Sequence, residues 1–362
     1  MGSDGTGIPP AAARKDDHLR LAAQQAPSPR NDFDDVEFVH HALAGIDRGD
    51  VRLGVRVDGW EWPAPLFVNG MTGGSPAAER VNRALAIAAR ETGVPMGSGS
   101  ASIALDDPAA ARSFRVIRDE NPGGFVLANI GAGRSPDDAR RAVDLLEADG
   151  LQLHLNAVQE TVMPEGSRDF SSWARGVEVV IAASPVPVVV KEVGFGLSRR
   201  TLVALRDMGA RIADVGGSGG TDFARIEGSR RGAGREELAG YGQSAAACLL
   251  DAPAFPALLA SGGVRGPIDV VRSLALGARA AGVAGPFLRA ALDGGEDALV
   301  PMIGGWIERI AELLALLGAP SPERLAATDL LVRGRVREFC ELRGIDAGAL
   351  TRRSDETDGE RS

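Results

Sequence analysis

The sequence predicts an α/β fold, a (β/α)8 or TIM barrel with a flexible N-terminal arm, and three observations lead to it. The chain has 362 residues, which suits one large barrel with additions or about two to three average domains. Eight short apolar runs recur, most of them followed by stretches rich in Ala, Arg and Leu. Gly, Ser or Asn follows nearly every run, as expected if all strand ends surround one site. A doubly wound open sheet is the alternative, and the polar strand ends favour the barrel.

The eight predicted strands are, in chain order, PLFVNG, VPMGSGS, FVLANIG, GLQLHLN, PVVVKEVG, RIADVGG, ALLASGG and AAGVAG. Continuous apolar runs are typical of strands buried on both faces of a parallel sheet, and the helical stretches supply the crossovers. Residues 225–242 are too charged and Gly-rich for a core element, so they predict an extended loop or lid over the sixth strand end. Residues 300–317 have apolar positions at helical spacing and predict an amphipathic helix.

Three segments are distinguished along the chain. Residues 1–30 have no helical or strand period, so they predict a mobile N-terminal arm, and this arm carries the motif RKDDH. Residues 31–350 are predicted to form the barrel domain. Residues 351–362 predict a disordered charged tail.

Composition and charge exclude several classes of function. Lys and Arg number 40 and Asp and Glu 49, and the net charge of −9 argues against a nucleic-acid or anionic-membrane binder. No apolar stretch approaches the length of a membrane span, and the N-terminus has no apolar signal core. Cys248 and Cys340 lie far apart and in no metal-binding spacing, so we expect a reduced, cytoplasmic protein.

A phosphate-binding signal lies at the last two strand ends, SGGVRG (residues 261–266) and GVAGPF (residues 282–287). Barrels often bind phosphate there, because backbone N–H groups and a helix N-terminus converge on the anion. Gly262 and Gly263 permit close approach, and Arg265 is expected to add charge. Ordinary turn glycines are the alternative, but the position after strands seven and eight favours phosphate.

A second glycine-rich segment, VGGSGGTDF (residues 215–223), includes the Thr221 hydroxyl. Its four glycines in five residues exceed the needs of a tight turn, which indicates a ligand against the backbone. A flexible loop is the alternative. Lys191 follows three valines, and a lysine emerging from a buried strand is costly unless it meets an anion or an electron-rich ring. A structural salt bridge, for example with Glu192, is the other explanation.

The segment LHLNAVQE brings together four polar side chains, His154, Asn156, Gln159 and Glu160. His154 and Asn156 alternate with leucines, so both are expected to face the barrel interior. A lone histidine would usually be a satisfied core residue, but packing does not explain the whole cluster. Glu160 is a candidate Mg²⁺ ligand, since Mg²⁺ commonly takes one carboxylate and completes its shell with water and phosphate. A glutamate stabilised by a helix N-terminus is the alternative.

Neutral hydrogen-bonding groups follow the first three strands. They are Met71, Thr72 and Gly73 after the first strand, Ser98 after the second and Asn129 after the third. Together they suit a large heterocycle that carries a phosphate, which favours FMN over a nicotinamide dinucleotide. No GxGxxG motif after a first strand indicates a Rossmann domain.

Ordered motifs from residue 14 to residue 292 resemble those of the FMN-dependent type 2 isopentenyl-diphosphate isomerase family. They are RKDDH, FVHHAL, NGMTGGS, HLNAVQE, PEGSRDF, VKEVGFG, GGSGGTDFARIE and SGGVRG. The resemblance implies conversion of isopentenyl diphosphate to dimethylallyl diphosphate without net redox change. It also implies reduced FMN as acid and base, Mg²⁺ on the diphosphate, NAD(P)H as the initial reductant only, and a homo-oligomer, a tetramer or octamer.

The resemblance assigns roles to the candidate residues. His154, Gln159 and Glu160 would form the catalytic group, with Glu160 as the Mg²⁺ ligand. The diphosphate substrate would face Arg14, Lys15, His154, Asn156 and Gln159. FMN would be held by Met71, Thr72, Gly73, Ser98, Asn129, Lys191, Thr221, Gly262, Gly263, Arg265, Ala284 and Gly285, and Lys191 would stabilise the charge of the reduced flavin.

Three regions depart from the usual family pattern, all where substrate is expected. Gly99 and Ser100 replace a Gln and an Arg, Ser167 replaces an Asp, and YGQSA (residues 241–245) replaces a segment like WGIPT. These changes leave open a divergent member acting on another prenyl diphosphate, or a binding protein without turnover. A flavin-dependent 2-hydroxy-acid oxidoreductase of related fold is a further alternative, but no late strand end carries the His that such chemistry uses.

Overall fold

The architecture is a closed barrel of eight parallel strands with helices between them. The computed structural model describes residues 10–25, 29–231 and 236–358. Strands β4 to β11 form the barrel in chain order, and they coincide with the eight predicted runs. The strands are β1 (Val36–Phe38), β2 (Val55–Val57), β3 (Trp60–Trp62), β4 (Leu66–Val68), β5 (Met96–Gly97), β6 (Val126–Gly131), β7 (Gly150–Leu155), β8 (Val188–Glu192), β9 (Ile212–Asp214), β10 (Ala257–Ser261), β11 (Ala280–Val283) and β12 (Leu330–Val332).

Helices connect the strands and extend the chain beyond the barrel. They are α1 (Pro10–Gln24), α2 (Pro76–Thr92), α3 (Ser102–Asp106), α4 (Arg112–Glu120), α5 (Pro136–Leu146), α6 (Ala157–Val162), α7 (Trp173–Ala183), α8 (Arg199–Asp207), α9 (Phe223–Arg231), α10 (Ala245–Leu250), α11 (Pro267–Ala275), α12 (Gly285–Leu316), α13 (Gly334–Arg343) and α14 (Arg353–Asp358). Short 3-10 helices cover Asp32–Asp35, Arg48–Asp50, Pro108–Ala111, Glu236–Leu238, Pro322–Ala327 and Ala347–Arg352.

The barrel closes by pairing its last strand with its first. Ala281 of β11 lies beside Leu66 of β4 in a parallel ladder. All five residues of β8 are buried, as expected for a strand covered by the barrel interior on one face and by helices on the other. The predicted (β/α)8 fold is therefore confirmed.

Aromatic side chains fill the N-terminal end of the barrel. In the β2–β3 hairpin the stacked rings of Trp60 and Trp62 have centroids 6.0 Å apart. Trp62 also packs against Phe67 at 5.6 Å and Phe125 at 5.5 Å. The same cluster contains apolar residues from the beginnings of several barrel strands. These four aromatic side chains thus close this end, and the C-terminal end of the strands remains open to a ligand.

The longest helix, α12, contains the predicted amphipathic segment. The helix is interrupted at Gly295, whose φ is 59°. In its second half Ile303, Ile310 and Leu314 are buried, so the apolar periodicity identified the packed face correctly. No helix in the described parts of the chain is long and apolar enough to cross a membrane.

Three segments predicted without a helical period contain helices, which corrects that expectation, while the mobility of the arm and the disorder of the tail stay predictions. The predicted mobile arm contains α1, whose Leu19 is buried in the main core. The predicted lid begins with α9, in which Ile226 and Glu227 are buried, and the predicted tail contains α14. None of the three helices has a series of large apolar residues at regular helical spacing, so tertiary contacts rather than a periodic pattern stabilise them. The remaining residues of these segments, 1–9, 26–28, 232–235 and 359–362, lie outside the described residues.

Candidate active site

A cavity of about 1350 Å³ lies at the C-terminal end of the barrel strands. Drug-sized ligands occupy pockets of about 300–1,000 Å³, so this one has room for a large cofactor together with a small substrate. Its lining includes most of the predicted residues: Lys15, Met71, Thr72, Asn129, His154, Asn156, Gln159, Glu160, Lys191, Thr221, Gly262, Gly263, Arg265, Ala284 and Gly285. The fold therefore brings the predicted substrate and cofactor residues into one site.

Three predicted residues are not part of this lining. Gly73 packs against Phe114, whose ring would overlap a Cβ atom at that position. Ser98 is fully buried, and its Oγ donates to the Gly99 carbonyl at 3.0 Å. Packing accounts for both residues, and their contact with FMN stays a prediction. Arg14 belongs to α1, but its side chain lies outside the described residues.

The loops after β9 and β10 pack closely against each other. Gly262 and Gly263 have φ values of 91° and 80°, which residues with a Cβ atom rarely adopt. A Cβ atom on Gly262 would also overlap the backbone of Gly217. Contact between the two loops therefore requires glycine independently of a ligand. The result is a cavity wall made of backbone at both loops.

Arg265 is bound by two carboxylates. Its Nη2 donates to Asp34 Oδ1 at 2.7 Å, and its Nε donates to Asp269 Oδ2 at 2.8 Å. Beside it, Asn31 Nδ2 donates to the Gly263 carbonyl at 2.7 Å. The carboxylates neutralise the charge that the sequence assigned to a phosphate. Arg265 instead fastens the loop after β10 to the segment that precedes β1.

We expect Asp34→Asn to destabilise the protein by about 1–3 kcal/mol at pH 7, because it removes charge-assisted hydrogen bonds to Arg265. The hydrogen bond from Arg265 holds the pKa of Asp34 well below its usual value. A depressed folded-state pKa gives stabilisation that is complete above the unfolded pKa of about 4 and is lost as the pH falls toward the folded value. Urea titrations of wild type and variant should therefore differ most at pH 7, and the difference should begin to shrink as the pH falls below about 4.

The matched control is Asp32→Asn, on the same 3-10 helix. Asp32 forms no ion pair among the described residues, so its replacement is expected to change the free energy of unfolding by less than about 0.5 kcal/mol. A difference between wild type and Asp34→Asn that stays constant from pH 7 to pH 3 would contradict the assigned role of Asp34.

A chain of buried amides crosses the cavity floor and ends at His154. The Gly70 N–H and Gln152 Nε2 donate to Asn69 Oδ1 at 2.9 and 3.3 Å. Asn129 Nδ2 donates to Gln152 Oε1 at 2.9 Å, and Asn129 Oδ1 lies 2.8 Å from His154 Nδ1. A backbone N–H only donates, so Gly70 sets the direction of every later bond in the chain. His154 Nδ1 is therefore the donor to Asn129.

This network fixes the state of the His154 ring. Burial, with the charges of Lys191 and Lys15, lowers the pKa of His154 to about 3, so the ring is neutral at pH 7. Because Nδ1 carries the proton, Nε2 of the neutral ring carries the lone pair. The sequence analysis identified His154 but missed Gln152. The available signal was their spacing of two residues on β7, which places both on one face of the strand.

Lys191 is a buried cation in the cavity wall. Its side chain is buried, and Nζ donates to the Glu192 carbonyl at 2.9 Å. The Glu192 carboxylate accepts the N–H groups of Val193 and Phe195 at Oε2, at 2.6 and 2.5 Å. Burial lowers the pKa of Lys191, and the charge of Asp214 opposes that shift. The arrangement fits a lysine that meets an anion or an electron-rich ring.

Glu160 is oriented by two neighbours. Asn156 Nδ2 donates to its Oε1 at 3.0 Å, and the Ser167 N–H donates to its Oε2 at 2.8 Å. Each carboxylate oxygen keeps further lone pairs for a cation. Residues 10–25, 29–231 and 236–358 contain no group of three or more His, Cys, Asp or Glu side chains that could hold a metal. The free lone pairs of the Glu160 carboxylate would suit a Mg²⁺ ion that takes one carboxylate and completes its shell with phosphate and water.

Glu227 is a site residue that the sequence analysis missed. It is fully buried in α9 and accepts hydrogen bonds from Gln159 Nε2 at 3.1 Å and Arg230 Nη1 at 2.5 Å. His18 Nε2 in α1 lies 2.8 Å from its Oε1. Burial raises the pKa of Glu227, but contacts with His18, Gln159 and Arg230 outweigh burial and lower it to about 2. This carboxylate thus links α1, α6 and α9 behind the cavity.

Among the positions that depart from the family pattern, Gly99 has a steric explanation. A Cβ atom on Gly99 would overlap the Thr72 backbone. Ser100 lines the cavity, and its Oγ donates to Ser102 Oγ at 3.2 Å. Position 100 therefore offers a hydroxyl where the family pattern places a cation. Tyr241, in the divergent YGQSA segment, is exposed.

Comparison with known proteins identifies the class of this site. Residues 134–332 match the family model described as FMN-dependent dehydrogenase. The isopentenyl-diphosphate delta-isomerase of Kitasatospora griseola is 57% identical and covers 96% of this chain and 97% of its own. Those of Nocardia farcinica and Streptomyces sp. (strain CL190) are 57% and 55% identical over 94% and 95% of this chain, and over 96% of each relative. The chain belongs to the family of FMN-dependent isopentenyl-diphosphate delta-isomerases, as the motifs indicated.

Solved structures of mandelate oxidase share the fold. A variant with a monooxide FMN adduct has a TM-score of 0.57 and 20% identity, covering 92% of this chain and 94% of that chain. Another, with benzoyl-formic acid, has a TM-score of 0.59 and 19% identity, covering 87% and 90%. At this level of identity the likeness shows the barrel fold alone.

The residues of the cavity fit an FMN cofactor. The glycine loops after β9 and β10 expose backbone to the cavity, as a phosphate site at this end of a barrel requires. Lys191 supplies a buried positive charge, and Thr72 and Thr221 supply hydroxyl groups. The cluster of Trp60, Trp62, Phe67 and Phe125 lies at the opposite end of the barrel.

Proposed function

We propose that the protein isomerises isopentenyl diphosphate to dimethylallyl diphosphate, with FMN and Mg²⁺ bound in the cavity. One observation carries the proposal: residues suited to a flavin and residues suited to a diphosphate line a single cavity. The names of the close relatives support the choice of substrate. When bound and reduced, FMN supplies the proton donor and acceptor that shift the double bond.

The diphosphate end of the substrate is proposed to face α1 and the beginning of α6. Lys15 provides positive charge at the cavity wall, and Arg14 is proposed to act with it. Glu160 is proposed to hold Mg²⁺, which the diphosphate then shares. Asn156 keeps the Glu160 carboxylate oriented through its 3.0 Å hydrogen bond.

The other end of the substrate is proposed to lie between the flavin and the amide of Gln159. Glu227 holds this amide through the 3.1 Å bond from Nε2. Lys191 is proposed to lie against the flavin, where its charge balances that of the reduced form. Both cysteines are buried outside the cavity lining, and burial raises the pKa of Cys248 to about 12. Neither thiol is therefore suited to proton transfer here.

Three further features belong to the same proposal. NAD(P)H is proposed as the initial reductant of the flavin, because the isomerisation itself consumes no electrons. A tetramer or octamer is proposed as the assembly and the cytoplasm as the location, in line with the family resemblance. Catalysis by His154, Gln159 and Glu160 is part of the proposal.

Anaerobic incubation of the FMN-loaded, reduced protein with isopentenyl diphosphate and Mg²⁺ is expected to form dimethylallyl diphosphate, measured by proton NMR. The oxidised protein under the same conditions is the control and is expected to be inactive. Lack of product from the reduced protein would refute the isomerase function. Bleaching of the oxidised flavin by mandelate would instead favour the 2-hydroxy-acid oxidoreductase alternative.

Glu160→Gln is expected to raise the Mg²⁺ concentration needed for half-maximal activity by about tenfold or more, because it removes the charged oxygen of a hard-cation ligand. Initial rates across a Mg²⁺ titration measure this shift. Glu178→Gln, at an exposed position on α7, is the matched control and should leave the titration unchanged. An unchanged Mg²⁺ titration in Glu160→Gln would remove Glu160 from the proposed ligand set.

A further inference from the structure

Most arginines in the cavity lining have carboxylate partners that neutralise them. The guanidinium groups of Arg112, Arg134 and Arg265 each form hydrogen-bonded ion pairs. Their partners are Glu79 for Arg112, Asp106 for Arg134, and Asp34 with Asp269 for Arg265. The positive charge of these three side chains is therefore neutralised by carboxylates of the protein itself.

Arg289 differs from these three arginines. It lies in α12, one turn after Gly285, and its half-buried side chain lines the same cavity. Within the parts of the chain that the structure describes, its guanidinium has no ion pair or hydrogen bond. The side chain folds back over the helix start, so that Nη1 would be 3.4 Å and Nη2 4.0 Å from a Cβ atom on Gly285.

This position is unfavourable for a cation without an anion nearby. The first N–H groups of a helix have no acceptor within the helix and carry partial positive charge, which disfavours a further cation. Ala284, at the N-cap of α12, provides no side-chain hydrogen bond to them. A guanidinium and uncapped N–H groups thus share one place in the cavity wall. Both interact favourably with a phosphate.

The glycine loop after β10 lies beside the start of α12, which carries Arg289. Ser261 at the end of β10 lies beside Gly282 of β11. The glycine loop that follows β10 and the beginning of α12 are therefore neighbours at the same rim of the barrel. Gly262 and Gly263 line the cavity on one side, and Gly285 with Arg289 on the other.

We propose that Arg289 binds the 5′-phosphate of FMN. It supplies the positive charge that Arg265 does not offer, because the Arg265 guanidinium is neutralised by Asp34 and Asp269. The proposal rests on the proposed FMN site and names a binding residue for it. The guanidinium lies over the helix start at Gly285, where a Cβ atom would be in van der Waals contact with it. Arg265 remains the residue that fastens the opposing loop.

The test compares FMN with riboflavin, which lacks the phosphate. Flavin-free, full-length protein is titrated with each flavin, and quenching of flavin fluorescence gives the affinities. Arg289→Met is expected to weaken FMN binding about 10- to 100-fold while riboflavin binding stays within about twofold. Arg289→Lys is expected to lie between wild type and Arg289→Met, because it keeps the charge but not the planar fork.

Two control variants remove an arginine elsewhere. Arg279 is exposed and directly precedes β11, at the opposite end of the strand that leads to Gly285. Arg80 is exposed on α2 and lines the cavity, without an ion pair among the described residues. Arg279→Met and Arg80→Met are expected to leave the ratio of FMN to riboflavin affinity unchanged.

Several results would overturn the proposal. The first two concern Arg289→Met: an unchanged ratio of FMN to riboflavin affinity, or an equal loss of affinity for both flavins. The other two are a wild type that binds FMN no more tightly than riboflavin, and an affinity ratio that falls in Arg80→Met instead. Riboflavin binding by Arg289→Met reports that the variant is folded. The isomerase assay is separate, so an inactive protein that still shows the predicted affinity ratios would refute the isomerase function and not the role of Arg289.

Discussion

The parallel ladder between β11 and β4 is the contact on which the rest of the molecule depends, because it closes eight strands into a barrel. Closure brings the C-terminal ends of all eight strands to one rim. Residues far apart in the chain then become neighbours: Asn69 after β4 accepts a hydrogen bond from Gln152 in β7. The aromatic cluster at the other end leaves this rim as the place where a ligand cavity forms. The site thus results from closure of the barrel and from the aromatic cluster that fills its other end.

Within the site, polar groups at the floor and charged groups at the walls have separate tasks. The amide chain from Asn69 to His154 is buried, and one backbone N–H at Gly70 sets its direction. Buried polar groups of this kind are rigid when every member is satisfied. The charged groups fall into two classes: those in hydrogen-bonded ion pairs with protein carboxylates, such as Arg265, and those without such a pair among the described residues, such as Arg289. A chain with a net charge of −9 can therefore hold anions in one place.

The sequence predicted the barrel well because strands buried on both faces read as continuous apolar runs, and all eight such runs are barrel strands. It did not predict α1, α9 and α14, because these helices lack a series of large apolar residues at regular spacing and depend on contacts distant in sequence. Most site residues were found because they follow strand ends. The ion pair between Arg265 and Asp34 was not predicted, because the two residues lie far apart in the chain. Glu227 was missed because the charge and glycine content around it predicted a loop.

The glycines at the strand ends were identified correctly, but the structure gives a different reason for them. The sequence analysis attributed the glycine-rich strand ends to a ligand against the backbone. In the folded chain Gly73 is required by the Phe114 ring and Gly262 by the Gly217 backbone. Only the three-dimensional arrangement separates these causes, because a glycine has the same signature in sequence whether protein or ligand occupies the space beside it.

The pairing of β1 with β12 has a consequence for the order in which the protein is made. Val36 lies opposite Val332, so the first strand finds its partner only when most of the chain has left the ribosome. Asn31 and Asp34, which fasten the loop after β10, lie just before that strand. The hydrogen bonds between Asp34 and Arg265 span 231 positions, so they too form only after most of the barrel strands have been synthesised.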